Sequence, residues 1–280
     1  MQQPLYLRPL GLEEALGALA GGALTVLAGG TDFYPARVGR PLREDVLDIS
    51  GLAALRGIGQ DNGEWRIGAL ATWSDLLKHP LPALFDGLKL AACEVGGMQI
   101  QNAGTLGGNI CNAAPAADGV PGLLALDAEV ELASARGRRR VPLAGFLTGG
   151  RQTLREPDEL LTAFFIRERS PRARSVFLKL GARRYLVISI VMVAVMLDVD
   201  AAGAVVEAAV AVGACSPVAR RLASLEARLV GQPAAQAAEL VRPADLTVLS
   251  PIDDIRGTAA YRTEAAGRLI QRALRSVAGE

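Results

Sequence analysis

Apolar positions recur at helical spacing over residues 12–19 and stop at Gly21-Gly22. Short apolar runs at 24–28 and 45–49 predict strands, which gives the chain a small β-α-β start. Residues 58–69 predict a hairpin turning at Asp61-Asn62-Gly63, because Asn-Gly tolerates the positive φ such turns require. Thr72-Trp73-Ser74-Asp75 has the form of a helix capping box, and a further helix is predicted over 81–95, broken by Gly96-Gly97. Two strands at 128–133 and 140–143 flank the turn 135–138, and Glu156-Pro157-Asp158 opens another structured stretch. The polar, proline-marked run 167–174 is the best boundary candidate. Beyond it, apolar runs at 176–180, 186–199 and 205–212 predict a three-stranded meander. Helical stretches at 219–230, 234–241 and 258–277 follow, an α+β arrangement.

The bulk properties narrow the classes. A chain of 280 residues, half of them apolar, can bury a substantial core in one large domain or two smaller ones. A formal charge of +1 gives no electrostatic reason to expect nucleic acid or an anionic membrane surface. Cys93, Cys111 and Cys215 are far apart and form no CxxC pair, so a zinc or iron–sulfur site within the chain is not expected. The longest apolar run, 186–197, falls short of the about 20 residues a bilayer requires. Glu13 and Glu14 interrupt what could have been the apolar segment of a signal peptide, so a soluble, cytoplasmic protein is expected.

The chemistry concentrates in glycine. Residues 101–118 contain Thr105-Leu106-Gly107-Gly108-Asn109 and end in Asp118; a second loop, Ala28-Gly29-Gly30-Thr31-Asp32, follows the apolar run 24–27. Adjacent glycines let backbone N–H groups converge on one point, a concavity suited to phosphate. Two such loops predict a ligand with more than one phosphate. Neither a Gly-Lys-Ser/Thr ending nor a complete G-x-G-x-x-G is present, so a P-loop and a Rossmann fingerprint are excluded. The basic turn 136–140 reads as a solvated hairpin tip, with contact to a partner or nucleotide as its alternative. His79, the sole histidine, is a candidate acid–base group or a plain loop residue. Asp253, Asp254 and Arg256 read as an ion pair or a cap for the last helix, or else as a charged site.

These loops, with Pro115-Ala116-Ala117-Asp118, resemble the FAD-binding medium subunits of the molybdenum hydroxylases, of the aerobic carbon monoxide dehydrogenase and xanthine dehydrogenase type. The resemblance continues at Phe177-Leu178-Lys179-Leu180, at 212–221 and at Pro251-Ile252-Asp253-Asp254-Ile255-Arg256-Gly257. It implies an N-terminal FAD-binding domain of the vanillyl-alcohol-oxidase (PCMH) type over 1–170, with subdomains of about 1–56 and 57–170. A C-terminal α+β domain over 171–280 would hold a three-stranded antiparallel sheet and a helical bundle. By position, Ala28, Gly29, Gly30, Thr31 and Asp32 would wrap the FAD pyrophosphate, and Thr105, Gly107, Gly108 and Asn109 would form a second phosphate and ribityl clamp. Asp118 would bind a ribityl or ribose hydroxyl, and Lys179 would lie near the flavin ring.

The resemblance further implies an electron-transfer subunit. It would take electrons from two [2Fe–2S] clusters of a small subunit, reduced in turn by a molybdopterin-binding large subunit, and pass them to NAD, a quinone or oxygen. A dimer of heterotrimers is expected. A self-contained flavin oxidoreductase and an assembly subunit with a vacant FAD fold remain as alternatives. The chain departs from the family at Phe33 and Tyr34, where smaller aliphatic residues are common. Tyr185 lies in a region that can approach the flavin in relatives; its other reading is an aromatic at the start of a buried strand.

Overall fold

The computed structural model describes residues 3–279. Its first layer is a parallel sheet of β1 (Tyr6–Leu7), β2 (Thr25–Leu27) and β3 (Val46–Asp48), in the order β1-β3-β2. Helix α1 (Leu12–Ala20) packs Ala15, Leu16 and Leu19 into the same small core as Leu47, Ile49 and Leu52. The β-α-β start is therefore present, with β1 as a strand too short for periodicity to reveal.

A five-stranded antiparallel sheet follows, built from β4 (Ile58–Asp61), β5 (Glu64–Gly68), β6 (Glu129–Ser134), β7 (Gly137–Pro142) and a later strand, 160–167. The β4–β5 turn has φ of 50° at Asn62 and 76° at Gly63, as the Asn-Gly pair predicts. Between β5 and β6 run α2 (Trp73–Lys78), α3 (Asp86–Glu94), α4 (Met98–Ala103), α5 (Leu106–Asn112) and α6 (Gly119–Ala125). The capping box of α2 is formed: Asp75 N donates to Thr72 Oγ1 at 3.1 Å and Thr72 N to Asp75 Oδ2 at 2.9 Å. The single helix predicted over 81–95 is shorter, because a 3₁₀ turn at Ala83–Phe85 precedes α3. The chain then passes through α7 (Leu143–Phe146), β8 (Leu147–Gly149), β9 (Gln152–Thr153) and β10 (Leu160–Arg167), the central strand of the five. The basic turn is a hairpin tip whose arginines are paired: Arg139 Nε donates to Glu159 at 2.7 Å and Arg136 Nη2 to Asp158 at 2.8 Å.

The last sheet corrects the expected three strands. Beside β11 (Arg174–Leu180), β12 (Val191–Val199) and β13 (Val205–Gly213), a short β14 (Arg220–Arg221) pairs with β13. The helix predicted over 219–230 accordingly shrinks to α8 (Ala223–Leu229). Residues 234–240 form 3₁₀ turns, and the Arg228 guanidinium donates to the Leu240 carbonyl where that segment ends. The run 186–199 is a strand only from Val191. Arg183 donates to the carbonyls of Tyr185 and Leu186, which withdraws them from any ladder, and Tyr185 stands 60% exposed in a loop rather than at a strand start.

Strand β12 is apolar on both sides because both faces of its sheet are covered. Met192, Ala194 and Met196 point into the core shared with α3 and α6. Val191, Val193, Val195 and Leu197 point toward α8 and the long α9 (Ala259–Ala278). Arg169, its side chain fully buried, ties the halves together by donating to the Leu126 carbonyl, to Asp127 and to Glu207.

Candidate functional site

Both glycine loops line one cleft of about 1010 Å³, at the upper end of the roughly 300–1,000 Å³ of small-molecule sites. Its walls include residues 28–33, Arg37, Trp73, Ile100, Thr105, Gly107, Gly108, Asn109, Arg151 and Arg155. Three arginines face a single carboxylate, Asp32, so the lining favours an anion.

The first loop leaves β2 at Leu27 and turns through Gly30 at φ +74°. A β-carbon on Gly29 would sit 1.9 Å from the Ala103 carbonyl oxygen, so the two loops touch backbone to backbone. Among the described residues, no acceptor takes the N–H groups of Gly29, Gly30, Thr31 or Asp32. These residues are half-buried or exposed on the cleft wall, and four consecutive N–H groups without a protein partner form a concavity for an anion.

The second loop differs. Thr105 caps α5, accepting from Gly108 N at 3.0 Å. Leu106 N donates to the Ala71 carbonyl at 3.0 Å, Gly107 N to Ala69 at 2.8 Å and Asn109 N to Thr105 at 3.0 Å. The N–H groups of Gly107 and Gly108 are thus taken internally; these glycines contribute close approach. Asn109 Oδ1 accepts from Gly119 N at 3.3 Å, and its amide N–H groups have no partner among the described residues.

Asp118 and Lys179 lie apart from the cleft lining and are bound to each other. Lys179 Nζ donates to Asp118 Oδ2 at 2.8 Å, and Ser189 Oγ to Asp118 Oδ1 at 2.7 Å. Burial pushes the Asp118 carboxyl up, against the opposing pull of the Lys179 ammonium and the Ser189 hydroxyl. Asp118 precedes Gly119, whose N–H meets Asn109, and Lys179 Nζ also reaches the Glu94 carbonyl at 3.5 Å beside the cleft residue Val95. The pair therefore lies behind the cleft wall formed by Asn109 and Val95.

Several lining residues escaped the sequence reading. Arg151, at φ +58°, follows a Gly-Gly turn and donates to Asn112 Oδ1 at 2.7 Å; Arg155 donates to the Glu159 carbonyl at 2.8 Å. The signal available was two arginines spaced four apart after Gly149-Gly150. Cys111 also lines the cleft, its thiol pushed up to about 11 by burial and hence neutral. His79 lies outside the lining: it ends α2, and its carbonyl accepts from Lys89 Nζ at 2.7 Å. Asp254 binds Arg262 at 2.7 Å and Asp253 accepts from Ala259 N at the start of α9, so that group is ion pair and helix cap. Among the described residues, no group of three or more His, Cys, Asp or Glu could hold a metal ion.

Residues 1–167 match the FAD binding domain in molybdopterin dehydrogenase, and residues 177–277 match the CO dehydrogenase flavoprotein C-terminal domain. The chain is 34% identical to the nicotinate dehydrogenase FAD-subunit of Eubacterium barkeri, over 81% of this chain and 80% of that one. It is 29% identical to the carbon monoxide dehydrogenase medium chain of Hydrogenophaga pseudoflava, over 96% and 95% respectively. The solved carbon monoxide dehydrogenase of that organism superposes with a TM-score of 0.87 at 28% identity, covering 99% of this chain and 97% of that one. Quinoline 2-oxidoreductase from Pseudomonas putida 86 gives 0.87 at 27% identity over the same shares. The chain belongs to the molybdenum hydroxylase family, as one of its FAD-binding medium subunits.

Proposed function

We propose that this chain is the electron-transfer subunit of a multi-subunit molybdenum hydroxylase, accepting electrons from [2Fe–2S] clusters of a partner and delivering them through FAD to an external acceptor. The observation that carries the reading is the row of unpaired N–H groups at Gly29–Asp32 on a cleft of about 1010 Å³, roomy enough for a dinucleotide. Hydrogen bonds to a charged group are worth roughly 1.5–3 kcal/mol each, so this row and the neighbouring arginines suffice to hold a diphosphate without a covalent link. Bound FAD supplies the exchange between one-electron and two-electron carriers.

The chain's own residues then divide the work. Ala28, Gly29, Gly30, Thr31 and Asp32 receive the diphosphate through main-chain N–H groups. Gly107 and Gly108 form a wall bare of side chains, held in place by the Thr105 cap, against which phosphate and ribityl lie, and Asn109 offers its amide N–H groups to that stretch. Asp118 and Lys179 back the flavin end, with the ammonium placed to favour negative charge on the ring system. We divide the chain at residue 170 into a vanillyl-alcohol-oxidase-type domain of two subdomains and a C-terminal domain, which accords with the separate parallel and antiparallel sheets. The proposed partners are an iron–sulfur small subunit and a molybdopterin-binding large subunit, in a dimer of heterotrimers acting in the cytoplasm on NAD, a quinone or oxygen as acceptor. Among the described residues, no helix is long and apolar enough to cross a membrane.

Co-purification from the source cell, with visible spectra and metal analysis, tests this reading. The expected result is a flavin spectrum on this chain with molybdenum and iron in companion chains. A lone flavoprotein turning over its own substrate, or a colourless chain that takes up no FAD, overturns it.

A further inference from the structure

Phe33 and Tyr34 build a structure with Arg37 that the diphosphate loop alone does not require. The Arg37 guanidinium lies 3.8 Å from the Phe33 ring centroid, and the Tyr34 ring meets Phe33 edge-on at 5.3 Å. Tyr34 also folds back over Gly30, where an added β-carbon would stand 2.6 Å from its ring. Arg37 cannot turn away easily: Nη1 donates to the Phe33 carbonyl at 2.9 Å, and Glu44 binds the other edge of the guanidinium. Its side chain retains 29% exposure, and Arg37 and Phe33 both line the cleft. A planar cation is thus fixed at its edges and covered by Phe33 on one face, on the wall of a dinucleotide-sized cleft. Guanidinium planes of this kind stack on nucleobases, a role the point charge of lysine does not fill.

Position selects which half of the ligand meets this plane. Gly29 abuts Ala103 and Gly104, on the side of the cleft that leads through Asn109 to the Asp118–Lys179 pair. From Gly30 onward the chain leads away from that contact to Phe33 and Arg37, in the segment between β2 and β3, whereas the Asp118–Lys179 pair joins the start of α6 to β11. We propose that the Phe33–Arg37 stack is the specificity element for the adenine of FAD, so that this chain binds FAD more tightly than FMN. The inference rests on the functional reading above and deepens it.

The test compares FAD with FMN, which shares the isoalloxazine, the ribityl chain and one phosphate but lacks the adenosine monophosphate half. The full chain, expressed with its companion chains and stripped of flavin, is titrated with each ligand and read by quenching of flavin fluorescence. Arg37→Lys, which keeps the charge and loses the plane, and Phe33→Leu, which keeps an apolar side chain, are each expected to weaken FAD about tenfold and leave FMN unchanged. Melting curves identify any variant that has lost its fold; the other variant then decides. Unchanged FAD affinity in the folded variants overturns the proposal. An equal loss of FAD and FMN also does so, because it assigns the residues to the diphosphate or to loop stability. A wild-type protein that binds neither flavin refutes the functional reading itself and this inference with it.

Discussion

The two glycine loops look alike in sequence and do different physical work. At 28–32 the backbone reaches the cleft with four consecutive N–H groups unpaired, while at 105–109 each N–H from Leu106 to Asn109 already has an acceptor inside the protein. Glycine at 29 serves contact with the other loop, and glycine at 107 serves contact with the protein behind it, where an added β-carbon would stand 2.7 Å from the Ala69 carbonyl oxygen. Composition alone therefore does not distinguish an anion receptor from a bare wall. What distinguishes them is the preceding element. Strand β2 ends and leaves its loop without partners, whereas Thr105 starts a helix whose first turn is capped and strapped to residues 69–71.

Substitution at the contact between the loops has the largest expected effect. Gly29→Ala places a methyl 1.9 Å from a carbonyl oxygen, a distance no rotamer can relieve, so the loops must part. FAD retention is expected to fall more than a hundredfold, read as flavin absorbance per chain; stoichiometric flavin in this variant breaks the comparison at its centre. Gly107→Ala acts against the Ala69 backbone instead, and overpacking of this kind costs about 1–3 kcal/mol. The loss is expected in the denaturant midpoint of the flavin-free protein, whereas Gly29→Ala shows itself chiefly in binding. Equal stability losses in the two flavin-free variants erase the distinction.

The difference between the loops explains which parts of the site were legible in the chain. Gly29-Gly30 and Gly107-Gly108 stand out because glycine pairs are local signals, and the capping box at Thr72 and the turn at Asn62-Gly63 were readable for the same reason. The destination of each N–H was not readable, since the acceptors of Leu106 and Gly107 lie some 35 residues earlier in the chain. Arg151 and Arg155 flank β9, one in the turn before it and one in the loop after it, and their spacing after Gly149-Gly150 is the one sequence signal that points to them. Residues 186–190 fit a strand by composition, yet Leu186 and Ile188 are exposed and Arg183 holds the backbone out of the sheet. Periodicity detects burial patterns, and it failed where hydrogen bonds from a side chain decided the conformation.

A direct check on the first loop uses the anion alone. If residues 29–32 are the donors, inorganic pyrophosphate competes with FAD for the flavin-free protein. Two or three charge-assisted bonds correspond to a Kd of about 1 mM. Gly107→Ala should leave that competition in place, because the second loop supplies no N–H to the anion. Pyrophosphate that fails to compete with FAD removes the donor role from residues 29–32, and competition that is present in wild type and lost in Gly107→Ala transfers it to the second loop.

The smallest expected effect is the most discriminating. Thr105→Ala removes the hydroxyl that accepts from Gly108 N and costs about 1 kcal/mol of stability, the usual value of a helix cap. Thr105→Ser keeps the cap and should behave as wild type by the same measure. The substitution also releases the Gly108 N–H toward the cleft, creating in the second loop the kind of unpaired donor that the first loop already has. If the second loop is only a wall, FAD affinity in Thr105→Ala changes by no more than the tenfold that 1.4 kcal/mol represents, and tighter binding is as consistent as weaker. A loss of a hundredfold or more, in a variant that still melts within a few degrees of wild type, would mean that the Thr105 hydroxyl itself binds the ligand. The two loops would then be a matched pair of clamps, and the asymmetry of their hydrogen bonds would carry no functional meaning.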